Sequence, residues 1–480
     1  MNNKSVYNLL KNASFLWPDN PAIHDEYGTI SYKELDVEVD ILKVKLIALG
    51  IKSGMCVGVR GKNSRNFIIA VFAVLGCGAA VMPISHQLKK REITEIIDKT
   101  KLHAILDDCS GFELSLNIIE KIKLNVDKLI YLKTEVEESH IFASHVNNPA
   151  FIRYTSGTTG LSKGVIISNK SVLERIEAAN KSLNINTNSN VVWVLPMAYH
   201  FIVSIVLYIK YGASITVVNS FLAKNVIEMT NSYEGTLLYA SPLQIRLLAS
   251  DNSRVMMPSL KKVISTSSGI SQTVSKLFMK RYNIVVNQAF GIIEIGLPIV
   301  NTEISDQFLE SVGYPLPDFD VEVFDSENKI LPSGKLGLLG IKGPGMFDAY
   351  LNPPLTREKV LKDGYFQTAD FAIISKNGMI KIKGRKKSMI NVAGNKVFAE
   401  EVEKVLEELS YIEMARVSGT HHPFMGQIIQ AEIKLVTKEK IDIEKVLNHC
   451  RENLSTFKIP QKIIVVDDFP ITKTGKLKRF

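Results

Sequence analysis

Short apolar runs alternate with segments of helical periodicity through the first third of the chain. Residues 56–59, 79–82 and 103–106 are brief apolar runs that predict buried strands. Residues 31–35 contain a Ser-x-x-Glu pattern typical of a capped helix start, and residues 64–75 have the composition of a buried helix. This alternation predicts packed α/β layers built on a largely parallel sheet.

One segment, residues 67–84, contains no charged side chain over 18 residues, the length at which a membrane-spanning helix has to be considered. Gly76 and Gly78 interrupt the segment, and Pro83 ends it. We therefore interpret it as a buried helix followed by a core strand, and we expect no membrane span.

The later segments predict further elements of the same kinds. Ser171 and Glu174 form a second Ser-x-x-Glu pattern, which predicts a helix that begins there and runs to about Leu183. Residues 311–352 are expected to form a small region rich in short strands. The other predicted elements are strands at 191–196, 235–242 and 260–264, a helix at 202–208, a hairpin at 389–398, a helix at 399–409, and strands at 414–419, 430–435 and 463–466.

Composition agrees with a soluble globular protein of roughly two to four domains, since 46% of the 480 residues are hydrophobic and 22% are charged. The four cysteines, at positions 56, 77, 109 and 450, show no Cys-x-x-Cys pairing. The first residues contain no apolar signal core. We therefore expect a reducing, cytoplasmic location.

The net charge of +9 is concentrated near the C-terminus, because residues 381–480 contain 19 basic and 13 acidic residues. Such a surface favours an anionic partner. The chain has no zinc-finger spacing and no aromatic RNA-binding motif, so we expect no nucleic acid. A phosphorylated cofactor or an acidic carrier protein fits the charge equally well.

The densest run of hydroxyls and glycines lies at residues 154–164. Glycines bring backbone N–H groups close to a ligand, hydroxyls add donors, and Lys163 adds a positive charge, which together suit a polyphosphate. The P-loop pattern does not fit, because it ends in Gly-Lys-Ser/Thr, whereas here Ser162 precedes Lys163 and Gly164 follows. The candidate phosphate-binding residues are Thr155, Ser156, Gly157, Thr158, Thr159 and Lys163.

The whole ordered string resembles the phosphate loop of the adenylate-forming superfamily, which contains acyl-CoA synthetases, luciferases and the adenylation domains of peptide synthetases. Four further segments resemble the family's motifs in the family's order: residues 287–294, 365–370, 384–388 and 472–476. The resemblance implies a large N-terminal domain of packed α/β layers with a small β-rich subdomain, residues 1–384. It also implies a small mobile α+β domain, residues 385–480, that carries a catalytic lysine.

The resemblance implies a role for each matched residue. Lys476, Glu294 and Thr155 would be catalytic: Lys476 would contact the carboxylate and the α-phosphate, and Glu294 would bind Mg²⁺ on the phosphates. Asp370 would accept hydrogen bonds from both ribose hydroxyls. The other implied nucleotide-binding residues are Ser267, Ser268 and Gly269 along the adenine, Gln288, Phe290 and Gly291 beside it, and Arg385 at the ribose or phosphates.

The chain also departs from the family pattern. Ile293 replaces the usual threonine, Ser388 stands at the usual acidic hinge position, and Gly337-Leu338 replaces Gly-Glu. The family's adenine turn is rich in glycine, whereas this chain has serines there. These departures leave a non-catalytic ATP-binding or regulatory relative as an alternative hypothesis.

The segment after Pro196 is expected to form one wall of the acid pocket, from Tyr199, His200, Phe201 and Ser204, with Gly291 opposite. His200 resembles the position that holds aspartate in amino-acid-activating members, where the carboxylate pairs with the substrate's ammonium group. Histidine suits that role poorly, which favours a plain carboxylic acid. Aryl and aliphatic acids both remain open.

The predicted function is ATP-dependent activation of a carboxylic acid to an acyl-adenylate, with release of pyrophosphate, followed by transfer to a thiol. CoA is the expected acceptor, and a phosphopantetheinyl acyl carrier protein is the alternative. The predicted enzyme class is therefore an acid–thiol ligase that uses ATP and Mg²⁺. The sequence leaves open whether the protein is a monomer or a homodimer.

Overall fold

The computed structural model describes residues 5–108, 118–124, 129–154, 163–220, 222–301, 311–392, 395–422, 426–437 and 441–470. In this part of the chain, two nine-stranded sheets, a four-stranded sheet and a five-stranded sheet alternate with helices. The expected fold class is confirmed: α/β layers form a large N-terminal domain, and a smaller C-terminal domain follows.

The first nine-stranded sheet is parallel at its centre and antiparallel at its edges. Its strands are β1 (Pro21–Asp25), β2 (Gly28–Ser31), β10 (Asn190–Trp193), β11 (Ser214–Val217), β12 (Leu237–Ala240), β13 (Lys262–Ser265), β14 (Val286–Ile292), β15 (Gly296–Val300) and β16 (Tyr314–Pro315). They lie in the order β16-β15-β14-β13-β12-β10-β11-β1-β2. The carboxyl ends of β10, β12, β13 and β14 therefore share one edge.

The second nine-stranded sheet has the order β20-β19-β9-β8-β4-β3-β5-β7-β6. Its strands are β3 (Cys56–Gly61), β4 (Ala80–Ser85), β5 (Ala104–Asp107), β6 (Ile118–Lys123), β7 (Ile130–Thr134), β8 (Pro149–Tyr154), β9 (Gly164–Ser168), β19 (Ala349–Tyr350) and β20 (Leu355–Thr356). Strands β8 and β9 are antiparallel and pair Tyr154 with Gly164. The ends of the candidate phosphate-binding segment therefore lie side by side.

The two remaining sheets follow in the sequence. The four-stranded antiparallel sheet contains β17 (Asp320–Phe324), β18 (Leu336–Lys342), β21 (Phe366–Ile374) and β22 (Ile380–Arg385). The last sheet contains β23 (Met389–Val392), β24 (Asn395–Phe398), β25 (Ile412–His422), β26 (Gly426–Leu435) and β27 (Lys462–Val465). The chain passes from one sheet to the other between Arg385 and Met389, and the domain boundary at 384/385 stays a prediction.

Helices cover the sheets and connect their strands. They are α1 (Val6–Leu16), α2 (Tyr32–Ala48), α3 (Arg65–Gly76), α4 (Lys90–Thr100), α5 (Asn169–Leu183), α6 (Met197–His200), α7 (Ile205–Lys210), α8 (Ala223–Ser232), α9 (Pro242–Ala249), α10 (Gln272–Tyr282), α11 (Arg357–Val360), α12 (Ala399–Leu406) and α13 (Ile443–Asn453). The capping box predicted at residues 31–34 is confirmed, with Ser31 and Glu34 bonding each other's backbone N–H.

Two local predictions are wrong. Helix α5 begins at Asn169, because Ser168 is its N-cap and accepts a hydrogen bond from the N–H of Ser171 at 3.2 Å. Ser171 is thus the third residue of the helix and not its cap. The helix predicted at 202–208 begins at Ile205, after the single turn of α6.

The uncharged run at 67–84 forms a buried helix and a core strand, as predicted. Residues of α3 pack against the interior of the large domain, and β4 continues through Pro83 beside β3 to the pair Gly61 and Ser85. The strand continues beyond Pro83 because a proline removes only one hydrogen-bond donor, its own backbone N–H. No described helix combines the length and hydrophobicity that a membrane crossing requires.

Candidate active site

Glu294 lies in a tight hairpin between β14 and β15, where Ile292 pairs with Gly296. Gly296 has φ +99, a conformation that other residues rarely adopt. A Cβ at Gly291 would lie 2.5 Å from the carbonyl oxygen of Gly296, so the close hairpin needs glycine there as well. The two glycines allow the strand to turn back at once and place Glu294 at the end of the sheet.

Tyr350 contacts both Lys163, the predicted phosphate-binding residue, and Glu294, the predicted Mg²⁺ ligand. Its hydroxyl donates to Glu294 Oε1 at 3.3 Å, and Lys163 Nζ lies 4.7 Å from the centre of its ring. The backbone N–H of Phe347 donates to the Glu294 carbonyl oxygen at 2.7 Å. Lys163, Tyr350 and Glu294 therefore form one contact chain across two sheets.

Burial raises the pKa of Glu294, while the Tyr350 hydroxyl and the positive charges of Lys163 and Arg175 act in the opposite direction. Burial and the nearby Glu294 carboxylate raise the pKa of Tyr350, so its hydroxyl stays protonated and donates. A desolvated carboxylate of this kind is stabilised by added positive charge.

Arg175 is a second residue that the sequence did not single out. It is 1% exposed, donates from Nη1 to the Ile293 carbonyl at 3.1 Å, and donates from Nε and Nη2 to the Gly345 carbonyl at 2.9 and 2.6 Å. Burial lowers the pKa of its guanidinium to about 10, so it remains charged at neutral pH. Arg175 thus attaches α5 to the Glu294 hairpin.

The sequence contains only weak indications that Tyr350 and Arg175 contribute to the candidate site. Arg175 occupies the buried face of α5 with Val172 and Ile176, where a charge needs partners. Tyr350 belongs to a two-residue strand that pairs with Val165, directly after the phosphate-binding segment. Neither position forms a local motif, because their partners come from distant parts of the chain.

Asp370 and Arg385, the predicted ribose residues, are partners of each other. They face one another on β21 and β22, and Arg385 Nε lies 3.0 Å from Asp370 Oδ1. The Asp370 side chain is 6% exposed and that of Arg385 is 43% exposed. Asp370 is therefore buried under an arginine that is open to solvent.

The predicted adenine turn follows β13, whose Ser265 pairs with Gln288 on the neighbouring β14. Ser267 has φ +77, a left-handed conformation that glycine adopts more readily. Gln288 is buried; its Oε1 accepts a hydrogen bond from the N–H of Ile270, directly after the turn, at 3.4 Å, and its Nε2 donates to the Ser311 carbonyl at 3.4 Å. Ser267, Ser268, Gly269, Gln288, Phe290 and Gly291 therefore lie at the shared edge of the first sheet.

The predicted pocket wall divides into a core part and a half-exposed part. Phe201 is 0% exposed and packs against Phe67, Phe72 and Phe151, and Ser204 is also buried. Phe201 and Ser204 are therefore buried, whereas Tyr199 and His200 are half-buried. The contact of all four residues with the acid stays a prediction.

Aromatic rings line the region behind His200. Trp193 stacks on Tyr239 with 5.8 Å between ring centres, and His200 approaches the Trp193 ring edge-on at 6.0 Å. Trp193 Nε1 and Ser265 Oγ are buried and have no hydrogen-bond partner within the described ranges. These two polar atoms lie near the carboxyl ends of β10 and β13, the edge at which α/β sheets commonly bind ligands.

Arg153 contributes a cation to the same wall. It immediately precedes Tyr154, donates to the Tyr199 carbonyl oxygen, and lies with its guanidinium carbon 5.2 Å from the centre of the Tyr199 ring. Burial lowers its pKa to about 10, and Glu294 is close enough to oppose this shift. Across the described residues, no carboxylate forms an ion pair with Arg153.

Comparison with known proteins identifies the family. The model of the AMP-binding enzyme family matches residues 10–351, and that of the AMP-binding enzyme C-terminal domain matches residues 401–476. The chain belongs to the AMP-binding enzyme family.

The relatives and structural neighbours of this AMP-binding enzyme cover nearly its whole length. A 2-succinylbenzoate–CoA ligase of Geobacillus sp. is 26% identical over 99% of this chain and 96% of its own. A long-chain-fatty-acid–CoA ligase of Yersinia pestis is 24% identical over 99% and 93%. The o-succinylbenzoate CoA synthetase of Bacillus subtilis, solved with its acyl-adenylate intermediate, superimposes with TM-score 0.85 at 22% identity over 98% of this chain and 97% of its own.

Several predicted site residues of the AMP-binding enzyme lie outside the described residues. These are Thr155, Ser156, Gly157, Thr158, Thr159 and Lys476. Their roles stay predictions. The structure describes the residues on both sides of the loop, Tyr154 and Lys163, and brings the second of them to Glu294 through Tyr350.

Ser388, at the predicted hinge position, forms hydrogen bonds with residues on both sides of it in the sequence. Ser388 is buried, and its Oγ lies 2.7 Å from Glu400 Oε1 and 3.0 Å from the Arg385 carbonyl oxygen. Farther from the hinge, Arg246 of α9 contacts Glu407 at 3.5 Å. The Arg246–Glu407 contact therefore joins the large domain to the small one, whereas the Ser388–Glu400 hydrogen bond lies within the small domain.

Proposed function

We propose that the enzyme uses ATP to activate a carboxylic acid that lacks an α-amino group, and then transfers the acyl group to the thiol of CoA. The observation that carries this proposal is the contact chain of Lys163, Tyr350 and Glu294 beside the hydroxyl-rich loop. Glu294 offers a carboxylate that can bind a metal ion, and Lys163 offers a positive charge that can bind phosphate. Because the two lie close together, the site suits a magnesium–nucleotide complex. ATP and CoA are both cytoplasmic metabolites, and we propose that the enzyme acts there.

Activation and transfer are two separate displacements. First, a carboxylate oxygen of the acid attacks the α-phosphorus of ATP, the bond from that phosphorus to its bridging oxygen breaks, and pyrophosphate leaves. Next, the CoA thiol gives up its proton, its sulfur attacks the acyl carbon, and AMP leaves. The adenylate is needed because a free carboxylate would have to expel oxide.

The residues fit a metal ion that arrives with the nucleotide. The described part of the chain contains no cluster of three or more His, Cys, Asp or Glu side chains suited to a metal. Mg²⁺ commonly takes only one or two protein carboxylates together with substrate phosphates, a requirement that Glu294 meets. When bound, Mg²⁺ would neutralise part of the charge on the phosphates.

The chain's own residues would divide the work of adenylation. Lys163 and the loop residues Thr155 to Thr159 would bind the departing pyrophosphate. Lys476 would neutralise the negative charge that develops on the α-phosphate in the transition state. Such electrostatic stabilisation is usually the largest single contribution to the rate, so its loss should have a large effect. Asp370 would accept the ribose hydroxyls, and Ser267 to Gly269 with Phe290 would bind the adenine.

The charge of the pocket wall supports the substrate class. By the resemblance, His200 occupies the position at which an α-ammonium group would require a carboxylate. The Arg153 guanidinium, which contacts the adjacent Tyr199, would repel that group. A guanidinium suits the carboxylate of a plain acid. The rings of Trp193 and Tyr239 favour an apolar acid body.

The proposal is tested by pyrophosphate release from ATP in the presence of aryl, short-chain, medium-chain and long-chain acids, with α-amino acids as a further arm. We expect release with one class of plain acid and none with α-amino acids. Lys476→Ala should abolish it, whereas the matched control Lys473→Ala should not. Addition of CoA or of a carrier protein then identifies the acceptor.

The possible failures of this experiment are distinct. Folded protein that binds ATP but releases no pyrophosphate with any acid would favour the regulatory alternative. Release with α-amino acids alone would contradict the interpretation of Arg153 and His200. Undiminished release by Lys476→Ala would show that another residue is the catalytic cation.

A further inference from the structure

Helix α2 exposes an apolar stripe to solvent. Val37, Ile41 and Val44 are 51%, 44% and 63% exposed, and Ile47 at the side of the stripe is 53% exposed. Because successive helical residues turn by about 100°, positions 37, 41 and 44 point in nearly the same direction. We call Val37, Ile41 and Val44 the α2 stripe.

The stripe is not needed for the protein's own core. The opposite face of α2, formed by Leu35, Val39, Leu42 and Leu46, is fully buried against the large domain. An ordinary surface helix has charged residues on its outward face. Here the most outward positions are β-branched and apolar, a pattern that marks interaction surfaces.

The end of the neighbouring helix α1 also exposes apolar side chains. Helix α1 packs beside α2 through ion pairs of Lys11 with Asp36 at 2.9 Å and with Asp40 at 2.8 Å. Beyond Lys11, Phe15 and Leu16 are 85% and 58% exposed. Exposed apolar side chains therefore occur on α1 as well as on α2.

We propose that the α2 stripe packs against the α2 stripe of a second copy of this chain, with the two helices antiparallel about a two-fold axis near Ile41. The two-fold makes the contact self-complementary, as in most homodimers. It is independent of the proposed chemistry, because none of its residues belongs to the candidate active site.

The charges beside the stripe select the antiparallel arrangement. Glu38 and Lys45 lie on the same side of the stripe, three residues before and four residues after Ile41. In antiparallel helices, Glu38 of each copy lies opposite Lys45 of the other. In a parallel pair, Glu38 and Lys45 of one copy would lie on the opposite side of the interface from those of the other copy, so neither ion pair could form. No other described residue forms an ion pair with Glu38 or Lys45.

A membrane surface fits the same helix less well. Interfacial helices bind anionic lipid through a polar face rich in lysine and arginine. The polar positions around the α2 stripe include the acidic residues Glu34, Asp36, Glu38 and Asp40, against Lys33, Lys43 and Lys45. A second copy with the reciprocal charge order is the better occupant.

Sedimentation velocity across a range of concentrations tests the proposal. We expect a reversible dimer of the wild-type protein, and at least a tenfold weaker association for Ile41→Glu. Ile330→Glu is the matched control, because Ile330 is also exposed, at 56%, and lies outside α2. Adenylation by Ile41→Glu should be unchanged, which establishes that the variant is folded.

A charge exchange tests the orientation. Glu38→Lys and Lys45→Glu should each weaken the dimer, and the double variant Glu38→Lys/Lys45→Glu should restore it. A wild-type monomer at every concentration would overturn the proposal, as would a dimer that these substitutions leave unchanged. Binding to phosphatidylglycerol vesicles that Ile41→Glu abolishes, without any dimer, would assign the stripe to a membrane instead.

Discussion

The Glu294 hairpin and the segment that joins the two domains are built in opposite ways. Glu294 is positioned by residues that have no other proposed role in the chemistry, namely Tyr350, Phe347 and, through Ile293, Arg175. At the domain junction, Asp370 and Arg385 bond to each other. The first region is preorganised, and the second would have to exchange its own contacts for those of the nucleotide under the proposed roles of Asp370 and Arg385.

This difference predicts which of the two regions each half-reaction depends on. Electrostatic stabilisation is most effective when the charged groups are already in position. Domain movement, in contrast, needs contacts that break at small cost. We therefore expect substitutions at the hairpin to affect adenylation, and substitutions at the junction to affect nucleotide affinity or transfer to the thiol.

The largest effect is expected for Glu294→Gln, which keeps the shape of the side chain and removes its charge. We expect pyrophosphate release to fall by about 10²- to 10³-fold, by analogy with the loss of one electrostatic contact in a transition state. Glu327→Gln, at an exposed turn, is the matched control.

The same variant separates function from stability. Burial raises the pKa of Glu294, so its stabilising contribution is fully present at low pH and is lost as the pH rises through the folded-state pKa. At neutral pH the neutral glutamine should therefore leave the thermal midpoint unchanged or raise it. A large fall in the midpoint would contradict a functional role for the buried charge.

Asp370→Asn should mainly affect ATP binding. We expect the KM for ATP to rise roughly tenfold or more, because a carboxylate that accepts two hydroxyls is replaced by an amide. The stability change should stay below about 1 kcal/mol, because Arg385 is 43% exposed and the ion pair is screened. Titration with ATP and a thermal melt check both values, and an unchanged KM would contradict the ribose assignment.

Tyr350→Phe should have a smaller effect on the first half-reaction. It removes the hydroxyl from Glu294 but keeps the ring beside Lys163, so we expect a loss of about 1 kcal/mol, or roughly fivefold in rate. The lost hydrogen bond should raise the pKa of Glu294 further. The acidic limb of the pH–rate profile should then move to higher pH, and an unmoved limb would show that Tyr350 does not act through Glu294.

Ser388→Ala is expected to give the smallest effect. It removes the hydrogen bond to Glu400 at the hinge, which suggests a change of about threefold in transfer to CoA. Adenylation should be unchanged, because the substitution is remote from Glu294. Separate assays of pyrophosphate release and thioester formation check this, and a parallel change in both would contradict a hinge role.

Features encoded in short segments could be predicted from the sequence. The α/β layers and the Ser31 capping box each depend on a few adjacent residues. The roles of Lys163 and Glu294 stay predictions. Tyr350 and Arg175 could not be predicted in this way. Arg175 and Gly345 lie 170 residues apart, so only the folded chain brings them together.

The errors have a similar origin. Ser168 and Ser171 are both suitable caps, and the choice between them is made by Asp348, which accepts hydrogen bonds from the Ser168 backbone N–H and hydroxyl at 2.6 and 3.0 Å. Phe201 was predicted for the pocket wall because its segment resembles the one that forms that wall in the family. It is buried among Phe67, Phe72 and Phe151, and its contact with the acid stays a prediction.

Detection of the intermediate tests the central claim most directly. The enzyme, an active acid from the panel and magnesium ATP would be mixed without CoA in a single turnover and analysed by mass spectrometry. The account predicts acyl-AMP and pyrophosphate in equal amounts, followed by loss of the acyl-AMP and appearance of AMP and acyl-CoA when CoA is added. Formation of ADP and phosphate, with no acyl-AMP, would contradict it.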